Sequence, residues 1–369
     1  MTAAIKAGLI GFGFGGRIFH APFVHATPGL QLAAIVQRRG DTAAAEYPSA
    51  RTLRSVEELF ADESIRLAIV CTPNASHFEV AKQCLLAGRN VVVDKPLTAT
   101  AAQSQELVEL AAARKLHLFA FHNRRWDGDF RTVKQVLASG ELGRLVSFEG
   151  RWDRYRPVPR ENTWKETADE GTGMLFDLGP HLVDQALTLF GRPSAVTGEV
   201  STIRDNSAVD DAFFITLHYH DGPHRGLRAR LSATMVAADP APRFLLHGTH
   251  GSFRKYGVDA QEAALILGGM RPPLPGAVDA PVWFENPEAE WGTLTTTANN
   301  REPIQLSTRR VPTLPGDYRG FYAAVRDALL GKANDAVTGQ DGLRTVRILE
   351  LARESSISGC TLQVPESGW

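Results

Sequence analysis

The sequence contains little cysteine and no surplus of charge of either sign. Only 3 of its 369 residues are cysteines, Cys71, Cys84 and Cys360, and no two of them form a CxxC pair. That usage argues against a disulfide framework and a zinc site, and for a reducing cytosol. The 40 Lys and Arg nearly balance the 41 Asp and Glu, so no positive field attracts nucleic acid or an anionic membrane surface. We therefore expect a cytoplasmic protein that binds a small molecule and no metal.

Long apolar runs are also missing. Stretches such as 67–71 and 90–94 fall far short of the ~20 apolar residues that a membrane helix needs. The apolar stretch at the N-terminus runs straight into glycines, unlike the apolar region and cleavage site of a signal peptide. No membrane span and no signal peptide are expected. The composition is that of a globular protein, 43% hydrophobic and 22% charged, and the length suggests two domains.

Residues 1–121 alternate short β-branched runs with helical stretches, a rhythm typical of a parallel sheet covered by helices. Capping boxes mark three of the helix starts, because Ser55, Ser76 and Thr100 are each followed three residues later by Glu or Gln. We predict a dinucleotide-binding domain over this range. Its predicted strands are Ala7–Ile10, Leu32–Val36, Leu67–Cys71, Val91–Val93 and Leu116–Phe121.

The rhythm changes after residue 121, where several strands follow one another without helices between them. This pattern indicates a largely antiparallel sheet and a second, α+β domain over residues 122–369. Five prolines between 268 and 287 indicate an irregular surface excursion. The predicted helices are Phe130–Ser139, Met174–Phe190, Tyr318–Leu330 and Gln340–Glu354, and the predicted strands are Leu145–Trp152, Phe213–Tyr219, Leu227–Ala233 and Phe244–Gly248.

A glycine-rich loop follows the first predicted strand. Residues 11–16 read GFGFGG, which fits GxGxxG at Gly11, Gly13 and Gly16, with Phe12 inside the loop. The loop follows a strand and opens a helix predicted over Arg17–Thr27, as in dinucleotide-binding proteins. There the glycines let the backbone turn tightly and let a diphosphate approach the helix N–H groups. The alternative is a glycine turn that binds no ligand.

The residues after the second strand bear on which nucleotide binds. An NAD site carries Asp or Glu about 20 residues after the glycine loop, where it accepts hydrogen bonds from the ribose. Here the stretch reads VQRRG, with no acid before Asp41. The guanidinium groups of Arg38 and Arg39 match a 2'-phosphate instead. We predict NADP in preference to NAD, the alternative being that both arginines are solvated loop charges.

A lysine follows the strand that ends at Val93. The tripeptide Asp94-Lys95-Pro96 lies at the carboxyl end of a predicted parallel strand, which is where ligands bind in such sheets. The ammonium group of Lys95 could polarise a substrate hydroxyl or carbonyl, with Asp94 holding it by charge and Pro96 stiffening the turn. A surface salt bridge is the alternative.

Asp177, His181 and Asp184 are spaced at i, i+4 and i+7, which places all three on one face of a helix. An imidazole titrates near neutral pH, so His181 can take or return a proton while Asp177 orients the ring or holds a substrate hydroxyl. Pro180 cannot donate to the Phe176 carbonyl, so the helix is kinked there or begins later than Met174. A polar, solvated helix face is the alternative.

These motifs, in this order, resemble the Gfo/Idh/MocA family of oxidoreductases over essentially the whole chain. The resemblance runs from the glycine loop through Thr72-Pro73-Asn74 and His77 to Asp94-Lys95-Pro96, then to Asp177 and His181, and ends in VTGQDG at 337–342. The stretches GFGFGGRIFHAPF, FHNRRWDGDF and RWDRYRPVPRENTWKE look like the subgroup of NADP-dependent scyllo-inositol dehydrogenases.

The resemblance implies an N-terminal Rossmann domain and a C-terminal α+β domain whose open sheet makes subunit contacts in a homodimer or homotetramer. It implies that Lys95, Asp177 and His181 form the catalytic group. Thr72, Pro73, Asn74 and His77 would line the cofactor, and Trp164 with Lys165 resembles a pair that touches it. One departure is Asp94, which stands where the family usually has Glu and changes the reach of that acid toward the cofactor.

The expected reaction is hydride transfer between NADP(H) and a secondary alcohol or ketone of a cyclic polyol or sugar. The first expected substrate is one that resembles scyllo-inositol. The candidates for holding substrate hydroxyls are Arg124, Arg125, Tyr155 and Arg156, with ordinary loop contacts as the alternative. Two rival functions stay open at this point. One is a cofactor-binding sensor without turnover, and the other is a glycosidase-type enzyme that uses bound NAD transiently.

Overall fold

The computed structural model describes residues 4–161, 163, 166–274, 286–298 and 302–369, and the described chain divides into two compact units. The first unit comprises Met1–Asn123 with two later segments, Gln261–Trp283 and Asp317–Val346, each for its described residues. The second comprises Arg124–Ala260, Phe284–Gly316 and Arg347–Trp369, again for the described residues. A single boundary after residue 121 was predicted, and the two later segments that pack with the first unit depart from that simple division.

In the first unit, the described residues form a six-stranded sheet in the order β3-β2-β1-β4-β5-β6, with every pair parallel. This is the order of a Rossmann domain, and the direction of winding reverses between β1 and β4. The α/β prediction is confirmed for this unit. The strands are β1 Ile5–Ile10, β2 Leu30–Val36, β3 Arg51–Leu53, β4 Ile65–Val70, β5 Asn90–Val93 and β6 Leu118–Ala120.

The helices of this unit begin largely where capping residues predict. Ser55 and Thr100 each accept a hydrogen bond from the backbone N–H three residues later, at 3.3 and 3.2 Å. The Ser76 cap is wrong, because its hydroxyl donates to Thr72 and to the Pro73 carbonyl instead. The helices are α1 Ala21–Ala26, α2 Thr42–Glu46, α3 Val56–Phe60, α4 His77–Leu86 and α5 Ala101–Arg114, and a π-helical turn at Gly16–His20 precedes α1.

In the second unit, the described residues form a nine-stranded sheet in the order β14-β13-β12-β11-β7-β10-β9-β8-β15. Only the pairing of β7 with β10 is parallel, so the prediction of a largely antiparallel sheet is confirmed. The strands are β7 Leu145–Asp153, β8 Ala195–Ser201, β9 Ala212–His218, β10 Arg228–Thr234, β11 Phe244–Gly248, β12 Gly251–Lys255, β13 Gly292–Thr297, β14 Leu306–Val311 and β15 Leu362–Gln363.

Aromatic side chains pack helices against one face of this sheet. Phe148 on β7 lies 5.2 Å from the Phe190 ring and 5.9 Å from the Phe244 ring, and Phe130 is fully buried beside Phe244. Burying such rings is worth roughly 1.5–3 kcal/mol each. The helices along the rest of the chain are α6 Gly128–Ala138, α7 Met174–Asp177, α8 Gly179–Phe190, α9 Gln261–Ile266, α10 Arg319–Leu329 and α11 Gly339–Ser358.

The continuous helix predicted over Met174–Phe190 is two helices. The first ends at Asp177 and the second begins at Gly179, with Leu178 between them. Pro180 explains the break, because it has no N–H for the Phe176 carbonyl. None of the described helices is long and apolar enough to cross a membrane.

Candidate functional site

The glycine loop lies where β1 ends, at the point where the sheet reverses its winding. Gly11 has a φ of +103°, and a side chain there would overlap the Cys71 carbonyl oxygen. A side chain on Gly16 would overlap the Gly11 carbonyl. Gly13 differs, because no described atom lies within 4 Å of the place where its Cβ would be. The loop is thus tight on its inner side and open at Gly13, as the close approach of a nucleotide diphosphate requires.

Phe12 fills the core beside the loop. Its ring is buried and meets Tyr47 edge-on with 6.0 Å between the ring centroids. The buried side chain therefore supports the loop from the core, and the predicted contact of Phe12 with the cofactor stays a prediction.

The turn after β2 carries Arg38 and Arg39 on the surface. Both side chains are exposed, and neither has a hydrogen bond or ion pair with the described part of the chain. Arg54, which sequence reasoning missed, holds this turn by donating to the carbonyls of Gln37 and Gly40 at 3.0 and 2.6 Å. It also pairs with Asp41, the first acid after β2. The turn held by Arg54 therefore presents the guanidinium groups of Arg38 and Arg39, neither of which has another partner among the described residues.

Asp94 follows β5 directly and points under the glycine loop. One carboxylate oxygen accepts from the Lys95 N–H at 2.7 Å, while the other accepts from the Cys71 thiol at 3.3 Å and lies 3.5 Å from His20 Nε2. Burial raises the pKa of Asp94, but the His20 contact and the charges of His77 and Lys95 outweigh it, so the pKa lies well below its usual range. The carboxylate is therefore ionised, directly beside the half-buried Lys95.

His20 is a further residue that sequence analysis left out of the site. It is fully buried, and its Nδ1 lies 2.6 Å from the hydroxyl of Tyr322 on α10. That contact turns Nε2 toward Asp94. The donor atoms of His20, Cys71 and Asp94 lie within 4.8 Å of one another, a separation that a metal ion could bridge. The sequence prediction of no metal stays a prediction.

Thr72, Pro73 and Asn74 follow β4 and are partly or fully exposed at the same edge of the sheet as the glycine loop. His77 is buried behind them, with Nε2 2.8 Å from the Thr72 carbonyl and Nδ1 2.8 Å from the Pro96 carbonyl. Its ring therefore joins the turn after β4 to the turn after β5. The predicted contact of His77 with the cofactor stays a prediction. The predicted cofactor contact Trp164 lies outside the described residues.

In the second unit, Asp177 ends α7 and His181 lies in the first turn of α8. Gly173, with a φ of +89°, leads into α7, where the Asp210 carboxylate accepts from the Leu175 N–H at 2.7 Å. His181 is 5% exposed, and its ring lies 5.8 Å from that of Trp152. Asp210 therefore positions the start of α7. No sequence spacing indicated this residue, because it lies some thirty residues later, in the loop between β8 and β9.

The helix face predicted for Asp177, His181 and Asp184 is interrupted after Asp177, while His181 and Asp184 remain one turn apart on α8. Asp184 is buried and accepts three hydrogen bonds from the guanidinium of Arg125, at 2.6, 2.9 and 3.2 Å. The break at Leu178 removes the continuous helix on which the spacing depended. Asp177 instead lies 3.6 Å from Arg154.

Two of the four residues predicted to hold substrate are engaged within the fold. Arg125 is paired with Asp184, and the buried Arg124 lies over the Trp152 ring at 4.5 Å. Tyr155 is 60% exposed and Arg156 is half-buried.

Comparisons with known proteins match both units. Residues 5–122 match the family model described as an oxidoreductase family with an NAD-binding Rossmann fold, and residues 130–254 match the GFO/IDH/MocA C-terminal domain. The chain belongs to the Gfo/Idh/MocA oxidoreductase family. Its relatives include the oxidoreductase YdgJ of Escherichia coli K12, which is 38% identical over 98% of this chain and 99% of that protein.

Another Gfo/Idh/MocA relative is the scyllo-inositol 2-dehydrogenase (NADP(+)) IolW of Bacillus subtilis 168, 35% identical over 95% of this chain and 94% of that protein. Solved structures are also similar. A Bacillus subtilis oxidoreductase superposes with a TM-score of 0.91 and 34% identity over 99% of both chains. One from Bacteroides fragilis gives a TM-score of 0.86 and 40% identity over 98% of this chain and 100% of that one. The predicted fold and family are confirmed.

Proposed function

We propose that this oxidoreductase interconverts a secondary alcohol and a ketone of a cyclic polyol or sugar, with NADP(H) as the cofactor and Lys95, Asp177 and His181 as the catalytic group. One observation carries the proposal. The open glycine loop, the turn at Thr72–Asn74 and Lys95 follow β1, β4 and β5, which are adjacent parallel strands, so they share one edge of the sheet. A scyllo-inositol-like substrate is the first choice because of the named relative from Bacillus subtilis.

The loop and the two arginines account for the cofactor. Open space at Gly13 admits the diphosphate, and Arg38 and Arg39 supply donors for a 2'-phosphate. When bound, the nicotinamide supplies the acceptor or donor of the hydride.

The protein's own residues manage charge and protons. In the direction of alcohol oxidation, His181 takes the hydroxyl proton and Asp177 orients the imidazole or holds the sugar. Lys95 stabilises the negative charge that develops on the alkoxide oxygen. The ionised Asp94 keeps a negative charge beside Lys95. His20 and Tyr322 act through Asp94 as positioning residues.

The test is turnover with a panel of inositols and cyclic sugars, followed by absorbance of the reduced cofactor with NADP⁺ or NAD⁺. Lys95→Ala is expected to lower kcat by about 100-fold or more, in keeping with the loss of a positioned proton or charge donor. NADPH binding, measured by fluorescence, should persist in that variant. Lys332→Ala, at an exposed lysine, is the matched control and should retain the wild-type rate.

Each rival function has its own result. NADPH binding without turnover of any panel member would identify a sensor. Copurified NAD that exchanges slowly would identify the glycosidase-type chemistry. Either result would overturn the proposal.

A further inference from the structure

Positive charge gathers beside Asp177 in the second unit. The backbone after β7 continues in extended pairing with the segment after β10, since Arg154 donates to the Thr234 carbonyl at 2.9 Å and Arg156 donates to the Met235 carbonyl at 2.7 Å. An isolated antiparallel bridge between Tyr155 and Val236 also joins the two segments. The backbone that carries both arginines is therefore held in place.

Trp152 and Arg154 lie on one face of this segment, since the Arg154 guanidinium is 6.0 Å from the Trp152 ring centroid. Arg156, two residues further along the extended backbone, returns to that face. The Trp152 ring lies beside His181, and the Arg154 guanidinium lies 3.6 Å from Asp177. Arg156 is the next residue on that face. His181, Asp177 and the guanidinium groups of Arg154 and Arg156 therefore all lie along this face.

Arg156 has no counterion among the described residues. Glu166, the other acid whose charge acts on Arg156, binds the buried Arg204 at 2.7 Å, and Arg204 also binds Asp211. Burial lowers the pKa of Arg156, and the charges of Arg154 and Arg160 lower it further, while Asp177 and Glu166 only partly oppose them. A half-buried guanidinium between like charges is unfavourable unless an anion meets it.

We propose that Arg156, together with Arg154, forms a subsite for an anionic group of the substrate, a carboxylate or a phosphate. The inference rests on the proposed function and narrows its substrate class to acidic derivatives, such as a sugar acid or a polyol phosphate. The forked geometry of Arg suits either group. Placed beside Asp177 and His181, the subsite would orient the carbinol that reacts.

The first experiment compares a neutral polyol with acidic analogues in steady-state kinetics. The panel is scyllo-inositol, glucuronate and myo-inositol 1-phosphate, each with wild type, Arg156→Gln and the control Arg225→Gln. Arg225 is exposed in the turn between β9 and β10, at the far end of β10 from the subsite. We expect kcat/KM to favour an acidic analogue, and Arg156→Gln to raise its KM about tenfold or more, as for a lost charge-assisted hydrogen bond.

The same variant should leave KM for a neutral polyol and Kd for NADPH unchanged. The carboxylate and phosphate arms identify which anion the subsite takes. Loss of NADPH affinity in Arg156→Gln would mean that the anion belongs to the cofactor, and this would overturn the inference. Equal use of neutral and acidic substrates, unaffected by Arg156→Gln, would overturn it as well.

A second measurement needs no turnover. Calorimetric titration of the NADPH-loaded protein with glucuronate or inorganic phosphate should give binding to the wild type that weakens at least several-fold in Arg156→Gln but not in Arg225→Gln. Anion binding without any turnover would sink the proposed reaction and retain the subsite. Turnover of neutral polyols without anion binding would do the reverse.

Discussion

Asp94 turns its charge inward, under the glycine loop. Its carboxylate lies among the His20 ring, the Cys71 thiol and the Lys95 N–H. A side chain on Gly15 would come within 2.8 Å of Cys71 Sγ and 3.2 Å of Asp94 Oδ2, so the loop rests directly on this group. Asp94, which stands where the family usually has Glu, therefore supports the glycine loop from below.

Asp94→Asn should lower the free energy of unfolding by roughly 1–3 kcal/mol at pH 7, because it removes a charged hydrogen-bond acceptor. The folded pKa of Asp94 lies below its unfolded value, so the ionised group stabilises the fold above about pH 4 and loses that effect as the pH falls through the folded pKa. Thermal unfolding of wild type and variant from pH 7 to about 2 checks this, with a deficit that stays constant down to about pH 4 and shrinks below it. A deficit independent of pH, or one as small as that of the exposed Asp205→Asn, would contradict it.

In the proposed function, Arg38 and Arg39 select NADP(H) over NAD(H). The double variant Arg38→Ala, Arg39→Ala should weaken NADPH binding about tenfold or more, because two donors to the 2'-phosphate are lost. NADH, which lacks that phosphate, should bind as before. Fluorescence titration with each nucleotide measures this, with the exposed Arg66→Ala, on β4, as control. Unchanged NADPH affinity would refute the phosphate clamp.

At the scale of elements, two glycines of the loop have different roles. Gly11→Ala should destabilise the first unit, because a φ of +103° and overlap with the Cys71 carbonyl both oppose a side chain. Gly13→Ala should leave the fold intact, since its Cβ meets nothing, and yet weaken NADPH binding several-fold by occupying the space that the diphosphate needs. Thermal unfolding and NADPH titration separate the two. Equal effects of both substitutions would contradict this division.

The turn into α7 positions Asp177. A side chain on Gly173 would overlap the Asp210 carboxylate that accepts from the Leu175 N–H. Gly173→Ala should therefore shift the start of α7 and lower kcat at least tenfold, with Kd for NADPH unchanged. Gly191→Ala is the matched control, because Gly191 also has positive φ but meets no atom within 4 Å. If both variants retained wild-type kcat, the positioning role of Asp210 would be wrong.

Sequence patterns predicted the elements whose signal is local. Buried β-branched runs marked β1, β2, β4 and β5 to within two residues, because their apolar content exceeds that of the flanking turns. The three-residue β3 was missed, since such a run is too short to show a pattern. The sequence predicted either a kink at Pro180 or a later start of the helix, and the structure has a break at Leu178 that separates Asp177 from the helix of His181 and Asp184.

At the scale of the whole molecule, the motifs sufficed for the family because glycine loops and strand-end turns are contiguous in sequence. The supporting contacts were not predictable. Tyr322 reaches His20 across about three hundred positions, and Asp210 reaches Leu175 from a distant loop. The first unit also includes two late segments, the described part of Gln261–Trp283 and Asp317–Val346. Tertiary packing assigns them to this unit, so no local sequence pattern could predict it.

Transfer of an isotope label from cofactor to substrate is the decisive measurement. The protein is supplied with NADPH carrying deuterium at the transferable C4 position and with the ketone of scyllo-inositol or of an acidic analogue, and the product alcohol is analysed by mass spectrometry. We expect one deuterium at the carbinol carbon with wild type and almost none with Lys95→Ala that still binds NADPH. NADPH binding without label in any product, or label transfer at the wild-type rate by Lys95→Ala, would contradict the proposed reaction.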